Sequence, residues 1–198
     1  MKHTDAYNIV RELGLAIKPF TEDDRLHIAG SIRREAVECG DGELLCRPLI
    51  IDQVETDLFG ESKVTKIIHP GFMQAINSMG TVIAGKPDGR HMKIQLPGLK
   101  VDMFMPQAED YFRQYCIRTG SKDFVYQKIA AQWVRKGWCG VNNLGLRLQK
   151  DCRREMRNGK PFWILIKENA EKPPAWTSEP HFFTWLGLDY IPAKHRNL

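Results

Sequence analysis

Near the start of the chain Ile9, Val10, Leu13, Ala16 and Ile17 recur at helical spacing, and Pro19 disfavours helix in the residue ahead of it. The pattern predicts a helix over residues 5–18. Arg25-Leu26-His27-Ile28-Ala29 then reads as a short strand that runs into the turn Gly30-Ser31 and a helix start at Ile32-Arg33-Arg34. Leu44-Leu45 and Leu49-Ile50-Ile51 are strand material around Pro48, whose missing amide argues for an edge or a break. After Pro70, residues 71–77 read as helix and Thr81-Val82-Ile83-Ala84 as strand, with a turn at Pro87-Asp88-Gly89. Met92–Leu96 and Leu99–Met105 both alternate across Pro97-Gly98 and predict two antiparallel strands. The character changes at Pro106: the chain is helical and basic through Lys136, then rich in glycine and aromatics. A last helix is predicted to open at Ser178-Glu179-Pro180.

Composition excludes some classes. Of the 198 residues 42% are hydrophobic and 27% charged, which sets the chain apart from disordered sequences. No run approaches the ~18 apolar residues of a membrane span, and the start lacks the apolar stretch of a signal peptide. The expectation is an intracellular, cytoplasmic protein with no membrane partner. Cys39, Cys46, Cys116, Cys139 and Cys152 show no CxxC pair and are expected to be reduced packing thiols. His27, His69, His91 and His181 are scattered, with no metal-site spacing, and are expected to carry no chemistry.

Charge is uneven. Residues 113–160 hold twelve Lys/Arg against Asp123, Asp151 and Glu155, a net +9 in a chain whose total is +5. A block of that kind, interleaved with Tyr126, Trp133 and Trp138, is what a binder of a phosphate backbone would carry. The five tryptophans themselves are read as core.

The residues with chemistry to offer are Gly30-Ser31, Asp41-Gly42-Glu43 and Asp102. Two acids at i and i+2 on an extended segment project from one face, so Asp41 and Glu43 can point jointly at a cation. If Asp102 lies on a neighbouring strand, three carboxylates converge. Hard oxygen donors suit Mg²⁺, and two such ions can activate an attacking hydroxyl, orient a triphosphate and stabilise leaving pyrophosphate. Gly30 lets backbone approach a phosphate, Ser31 donates hydrogen bonds, and Arg34 can bridge phosphate oxygens bidentately.

The segment Ala29-Gly30-Ser31-Ile32-Arg33-Arg34 through Gly40-Asp41-Gly42-Glu43 resembles the palm signature of family X DNA polymerases, the DNA polymerase beta-like nucleotidyltransferases. Lys100-Val101-Asp102 is similar to the strand that bears the third carboxylate of that family, and Thr119-Gly120-Ser121 to its turn beside the incoming nucleotide. Gly137-Trp138 to Leu146 and Glu179 to Pro192 resemble its C-terminal subdomain, so the resemblance spans roughly residues 25–196.

The resemblance implies an α+β fold. A nucleotidyltransferase palm with a mixed or antiparallel sheet and flanking helices would occupy residues 1–106, and a small α+β subdomain binding nucleotide and DNA would occupy 107–198. It implies that Asp41, Glu43 and Asp102 hold two Mg²⁺ ions, with Mn²⁺ able to substitute, and that Asp102 helps activate the primer 3′-hydroxyl. Gly30, Ser31, Arg34 and Gly40 would hold the nucleoside triphosphate, Arg33 would tether the loop, and Thr119 and Gly120 would form a backbone wall beside the nucleotide. The implied activity is addition of nucleotides to a DNA 3′-end, in repair or gap filling, by a monomeric enzyme. Two departures carry expectations of their own. Glu43 stands where the family usually has a second Asp, and Ile117-Arg118 replace its aromatic pair, which implies weaker exclusion of ribonucleotides. Twenty-nine residues precede Gly30, too few for the lyase domain of larger relatives. The alternatives are a non-catalytic DNA-binding relic of the same fold and a transferase acting on a non-DNA acceptor.

Overall fold

In the computed structural model, which describes residues 1–56 and 58–198, helix α1 (His3–Ile17) ends where Pro19 requires it to, and one 3-10 turn leads into strand β1 (Thr21–Ile28). A single helical turn, α2 (Gly30–Arg33), is followed by β2 (Gly42–Pro48), β3 (Ile50–Thr56), β4 (Ser62–Ile68), α3 (Pro70–Met79), β5 (Thr81–Gly85), β6 (His91–Leu96) and β7 (Leu99–Phe104). The chain is α+β and divides beside Pro106 into two compact units, Met1–Gln107 and Ala108–Leu198. Among the described residues no helix is long and apolar enough to cross a membrane.

The first unit is built on a five-stranded sheet of order β1-β2-β7-β6-β5. It is mixed, because β2 and β7 run parallel and every other pair is antiparallel. Alternation sorts its residues. Leu44 and Cys46 of β2, Met92, Ile94 and Leu96 of β6, and Val101 and Met103 of β7 all enter one core. Val10, Leu13 and Ile17 of α1, with Phe72 and Ile76 of α3, fill the same cluster from the helical side. Each such aliphatic removed from water contributes about 1.5–3 kcal/mol, so this face fixes the sheet, while the other carries Glu43, Lys93 and Asp102 along with the buried Leu45.

Two expectations change. Leu44-Leu45 lie inside β2, an interior strand, and not on an edge; Pro48 is its last residue, opposite Thr21, where no further ladder bond is needed. Strands β3 and β4 form a separate two-stranded ribbon, of which the sequence pattern marks only Ile50 and Ile51. The ribbon lacks a buried stripe because both faces are largely exposed, and Val54 and Val64 face solvent as Cα partners.

The second unit begins with α4 (Tyr111–Thr119), α5 (Lys122–Phe124), a π-helical stretch (Val125–Ala130) and α6 (Ala131–Arg135). The glycine-rich region that follows is a four-stranded sheet, β8 (Trp138–Val141), β9 (Gly145–Leu148), β10 (Cys152–Arg157) and β11 (Lys160–Leu165), in the order β10-β11-β8-β9. Helix α7 (Glu179–Leu186) opens as expected, with the Ser178 hydroxyl accepting from the His181 amide. Trp133, Trp138 and Trp176 are buried with Phe182 and Phe183, as core tryptophans should be. All five cysteines are free and buried. Burial pushes the Cys46 thiol far above its usual range, and burial together with Cys152 alongside pushes Cys139 up to about 12, so neither is a nucleophile at neutral pH.

The C-terminal residues are held by a buried ion pair. Arg196 Nη1 donates to Glu179 Oε1 at 2.6 Å and Nη2 to Oε2 at 3.3 Å. Its Nε donates to the Ile191 carbonyl, and the rings of Phe183 and Tyr190 lie against the guanidinium at 5.0 and 5.4 Å. Removing one partner of such a pair strands the other charge in the core, at a cost of about 3–5 kcal/mol. Glu179→Gln is therefore expected to lower unfolding free energy by that amount in urea titrations. Glu155→Gln, which breaks the exposed contact between Arg153 and Glu155, should change it by less than ~1 kcal/mol.

Candidate active site on the polar sheet face

The parallel pairing of β2 with β7 sets Glu43 opposite Asp102, as direct Cα partners. Both alternate with residues of the helix-covered core, Gly42 and Leu44 on one strand and Val101 and Met103 on the other, so both carboxylates rise from the other face. They are half-buried. The expectation that Asp102 lies on a strand neighbouring the Asp-Gly-Glu segment is met at the level of the backbone.

The turn at Gly30 comes against the same place. Ala29 N–H donates to the Glu43 carbonyl at 2.8 Å, which closes the end of β1 onto β2. Gly30 then takes φ = +65°, and a Cβ built on it would overlap Glu43 Oε2. Glycine is required here twice, for the left-handed backbone and for the approach of the carboxylate. Within α2 the amides of Arg33 and Arg34 donate to the carbonyls of Ala29 and Gly30, while the Ser31 carbonyl accepts from Ala36. The side chains of Ser31, Arg33 and Arg34 are all half-buried.

Asp41 is placed differently from the expectation. Strand geometry begins at Gly42, so Asp41 sits in the bend before β2, exposed beside the exposed Gly40, and does not share a strand face with Glu43. The bend is anchored from the N-terminus. The Met1 ammonium donates to the Cys39 carbonyl, Cys39 N–H donates to Met1 O, and His3 N–H donates to Val37 O. The His3 ring donates to Ile32 O, tying the first turn of α1 to α2.

Asp102 has company that the sequence pattern alone did not assign. His91 Nε2 lies 2.6 Å from its Oδ1, and Lys93 Nζ lies 3.4 Å from the same oxygen. A signal for these neighbours was present. The two-residue connection Pro97-Gly98, with Gly98 at φ = +78°, sets Leu96 opposite Leu99, and counting back along both strands makes Lys93 the direct partner of Asp102 and His91 its diagonal neighbour.

The donor chemistry at Glu43 and Asp102 fits a divalent cation such as Mg²⁺: hard carboxylate oxygens, in register, on the polar face, next to a residue with no side chain. Convergence of all three acids is not formed. Among the described residues no three of His, Cys, Asp or Glu are gathered as a metal-ligand group; Glu43 is turned to Gly30 and Asp102 to His91. A cleft of about 610 Å³ lies elsewhere in the first unit, lined by Arg47, Lys66, His69 and Met105, and contains none of the acids.

In the second unit Thr119 is the buried last residue of α4, and Gly120 follows in extended backbone. The turn is tied down by Ser121, whose hydroxyl accepts from the amides of Phe124 and Leu198 and whose own amide donates to Arg196 O. Ile117 packs against the core of this unit. Of the basic block, Arg113 and Arg147 are buried, Arg113 in a bidentate contact with Asp110. Lys122, Lys128, Arg135, Lys136, Lys150, Arg153, Arg154 and Arg157 are exposed.

No protein-family model matches this chain, and no curated protein matches it either.

Because residue 30 needs both a positive φ and no side chain, Gly30→Ala should cost at least ~1–2 kcal/mol from the left-handed backbone alone. Displacement of Glu43 adds to that. Urea unfolding should register the loss, whereas Gly40→Ala, whose Cβ meets nothing within 4 Å, should be near neutral.

Proposed function

We propose that this chain is a nucleotidyltransferase of the family X DNA polymerase type, adding nucleotides to a DNA 3′-end by metal-assisted phosphoryl transfer. The observation that carries the reading is the register of Glu43 with Asp102, side by side on the polar face with the Gly30-Ser31 turn pressed against Glu43. The sequence resemblance described above supplies the rest.

On this reading Asp41, Glu43 and Asp102 hold the cations, and Gly30, Ser31, Arg34 and Gly40 hold the triphosphate. Bound divalent cations supply neutralisation of phosphate charge and acidification of the attacking hydroxyl. Asp102 assists departure of the 3′-hydroxyl proton. The 3′-oxygen bonds to the α-phosphorus, the bond from that phosphorus to the bridging oxygen breaks, and pyrophosphate leaves. Arg34 offsets charge on the departing group. Thr119 and Gly120 keep the role the resemblance gives them, a backbone turn against the nucleotide.

A second reading, a DNA-binding relic without catalysis, draws on a specific observation: Asp102 is already engaged by His91 and Lys93, and Asp41 stands apart from the other two acids. Both readings keep a nucleic-acid interface on the exposed cations of the second unit, of which Arg153, Arg154 and Arg157 lie on β10, an edge strand.

Catalysis separates the two. Primer extension on gapped, blunt and single-stranded DNA with Mg²⁺ or Mn²⁺ should give nucleotide addition. Asp102→Asn and Glu43→Gln should lower it by orders of magnitude, while Glu43→Asp retains part, since charge survives with shorter reach. Absence of addition on every primer with either metal would sink the enzyme reading. DNA affinity, measured by fluorescence anisotropy, should fall steeply with salt. Reversing Arg153, Arg154 and Arg157 to Glu should weaken binding to all sequences alike and flatten the salt slope by about one for each phosphate no longer neutralised.

A further inference from the structure

Asp102 stands on β7 between two strands of opposite character. On one side β2 brings another carboxylate, Glu43, into register; on the other β6 brings two nitrogen bases, Lys93 opposite and His91 on the diagonal. Both bases meet the same oxygen. His91 Nε2 is 2.6 Å from Oδ1 and Lys93 Nζ is 3.4 Å from Oδ1, while Oδ2 takes part in neither contact. An ionised carboxylate only accepts, so Nε2 carries the proton and donates it. At 2.6 Å this is a short, charge-assisted hydrogen bond, and the Lys93 contact at 3.4 Å is a weaker, mainly electrostatic one.

The imidazole is itself held. Its ring lies against Phe104, its direct cross-strand partner, with centroids 5.0 Å apart and planes inclined at 31°. Phe104 limits ring rotation from one side, so the direction of Nε2 is set by the β6–β7 register and not by the carboxylate alone. The side chain of Asp102 is 15% exposed and that of His91 40%, so the hydrogen bond stands at the border of solvent with one carboxylate oxygen left over.

We propose that His91 is a positioning residue for Asp102. Its Nε2–H fixes the carboxylate through Oδ1 and thereby presents Oδ2 to the divalent cation that Asp102 shares with Glu43. Lys93 is the counter-charge that steadies the acid when no cation is bound and opposes a cation when one arrives. This inference rests on the metal-site reading of Glu43 and Asp102, and it adds a residue that the polymerase resemblance did not point to. Carboxylate ligands held by outer hydrogen bonds lose about 10–100-fold in metal affinity when the outer partner is removed.

The test is Mn²⁺ binding to the full chain, read by electron paramagnetic resonance of the free ion and independent of turnover, with thermal unfolding recorded for each variant. His91→Ala is expected to weaken Mn²⁺ binding by about 10–100-fold without loss of folding. His91→Gln, whose side-chain amide can donate to Oδ1, is expected to recover most of that loss, which a merely structural contribution of the ring would not do. Lys93→Met, which removes a positive charge beside the cation, is expected to bind Mn²⁺ several-fold more tightly. Parent-like or tighter binding by His91→Ala, with Asp102→Asn still abolishing it, overturns the positioning role and leaves the metal site intact. If the parent binds no Mn²⁺, or Asp102→Asn binds it as the parent does, the metal-site reading falls and the inference falls with it.

Discussion

Everything proposed for the first unit depends on one pairing, the parallel alignment of β2 with β7. These strands are about sixty residues apart in sequence, yet a slip of one residue would turn Glu43 or Asp102 into the helix-covered core. What resists the slip is apolar. Leu44, Cys46, Val101 and Met103 have no alternative place once α1 and α3 occupy their side of the sheet, and Gly42 is small because Val10 and Val101 leave no room for a Cβ. The polar face is thus specified by the hydrophobic one. Two acids stand together there as a by-product of packing on the opposite side, and Ala29 N–H to Glu43 O joins the glycine turn to the same frame.

Close carboxylates are costly to leave uncompensated, and the strand order answers that cost locally. With β6 on the far side of β7, Lys93 and His91 face Asp102, whereas Glu43 has the Gly30 turn. In the metal site proposed above, loading would amount to an exchange of partners at Asp102, with Lys93 giving way to the cation. The second unit holds its own turn by different means, a fully buried arginine whose carboxylate partner opens α7 and whose main chain receives the Ser121 amide. The first unit relies on register and the second on a neutralised charge.

How much of this was legible in the sequence varied with the physics of each segment. Helix α1, helix α3 and the β6–β7 hairpin carry full-strength signals, since their apolar residues repeat at the proper period and proline or glycine punctuates their ends. The α+β class came from the resemblance, and these elements agree with it. Of the ribbon β3–β4 only the start of β3 was marked, and the strands after Gly137 were expected only as part of an α+β subdomain and not located, because exposed strands lack a buried stripe and the strands of the second sheet are short and interrupted by charge. At the candidate site the neighbour relation of Glu43 and Asp102 was legible through the polymerase resemblance. Asp41 was misplaced because the i, i+2 argument assumed a strand that starts one residue later. His91 was passed over as a lone histidine, although hairpin register from Pro97-Gly98 already put it diagonal to Asp102.

The ribbon β3–β4 has a consequence for the engineering of this scaffold. It leaves and returns through Ile50 and Ile68, which are Cα partners, and pairs with no strand of either larger sheet. Chain beyond its root therefore contributes no rung to the ladder between β2 and β7, and that ladder does not dictate the ribbon's length or sequence. Leu58 and Phe59 near its tip, 101% and 91% exposed, mark where a graft would be most accessible to a solution reagent.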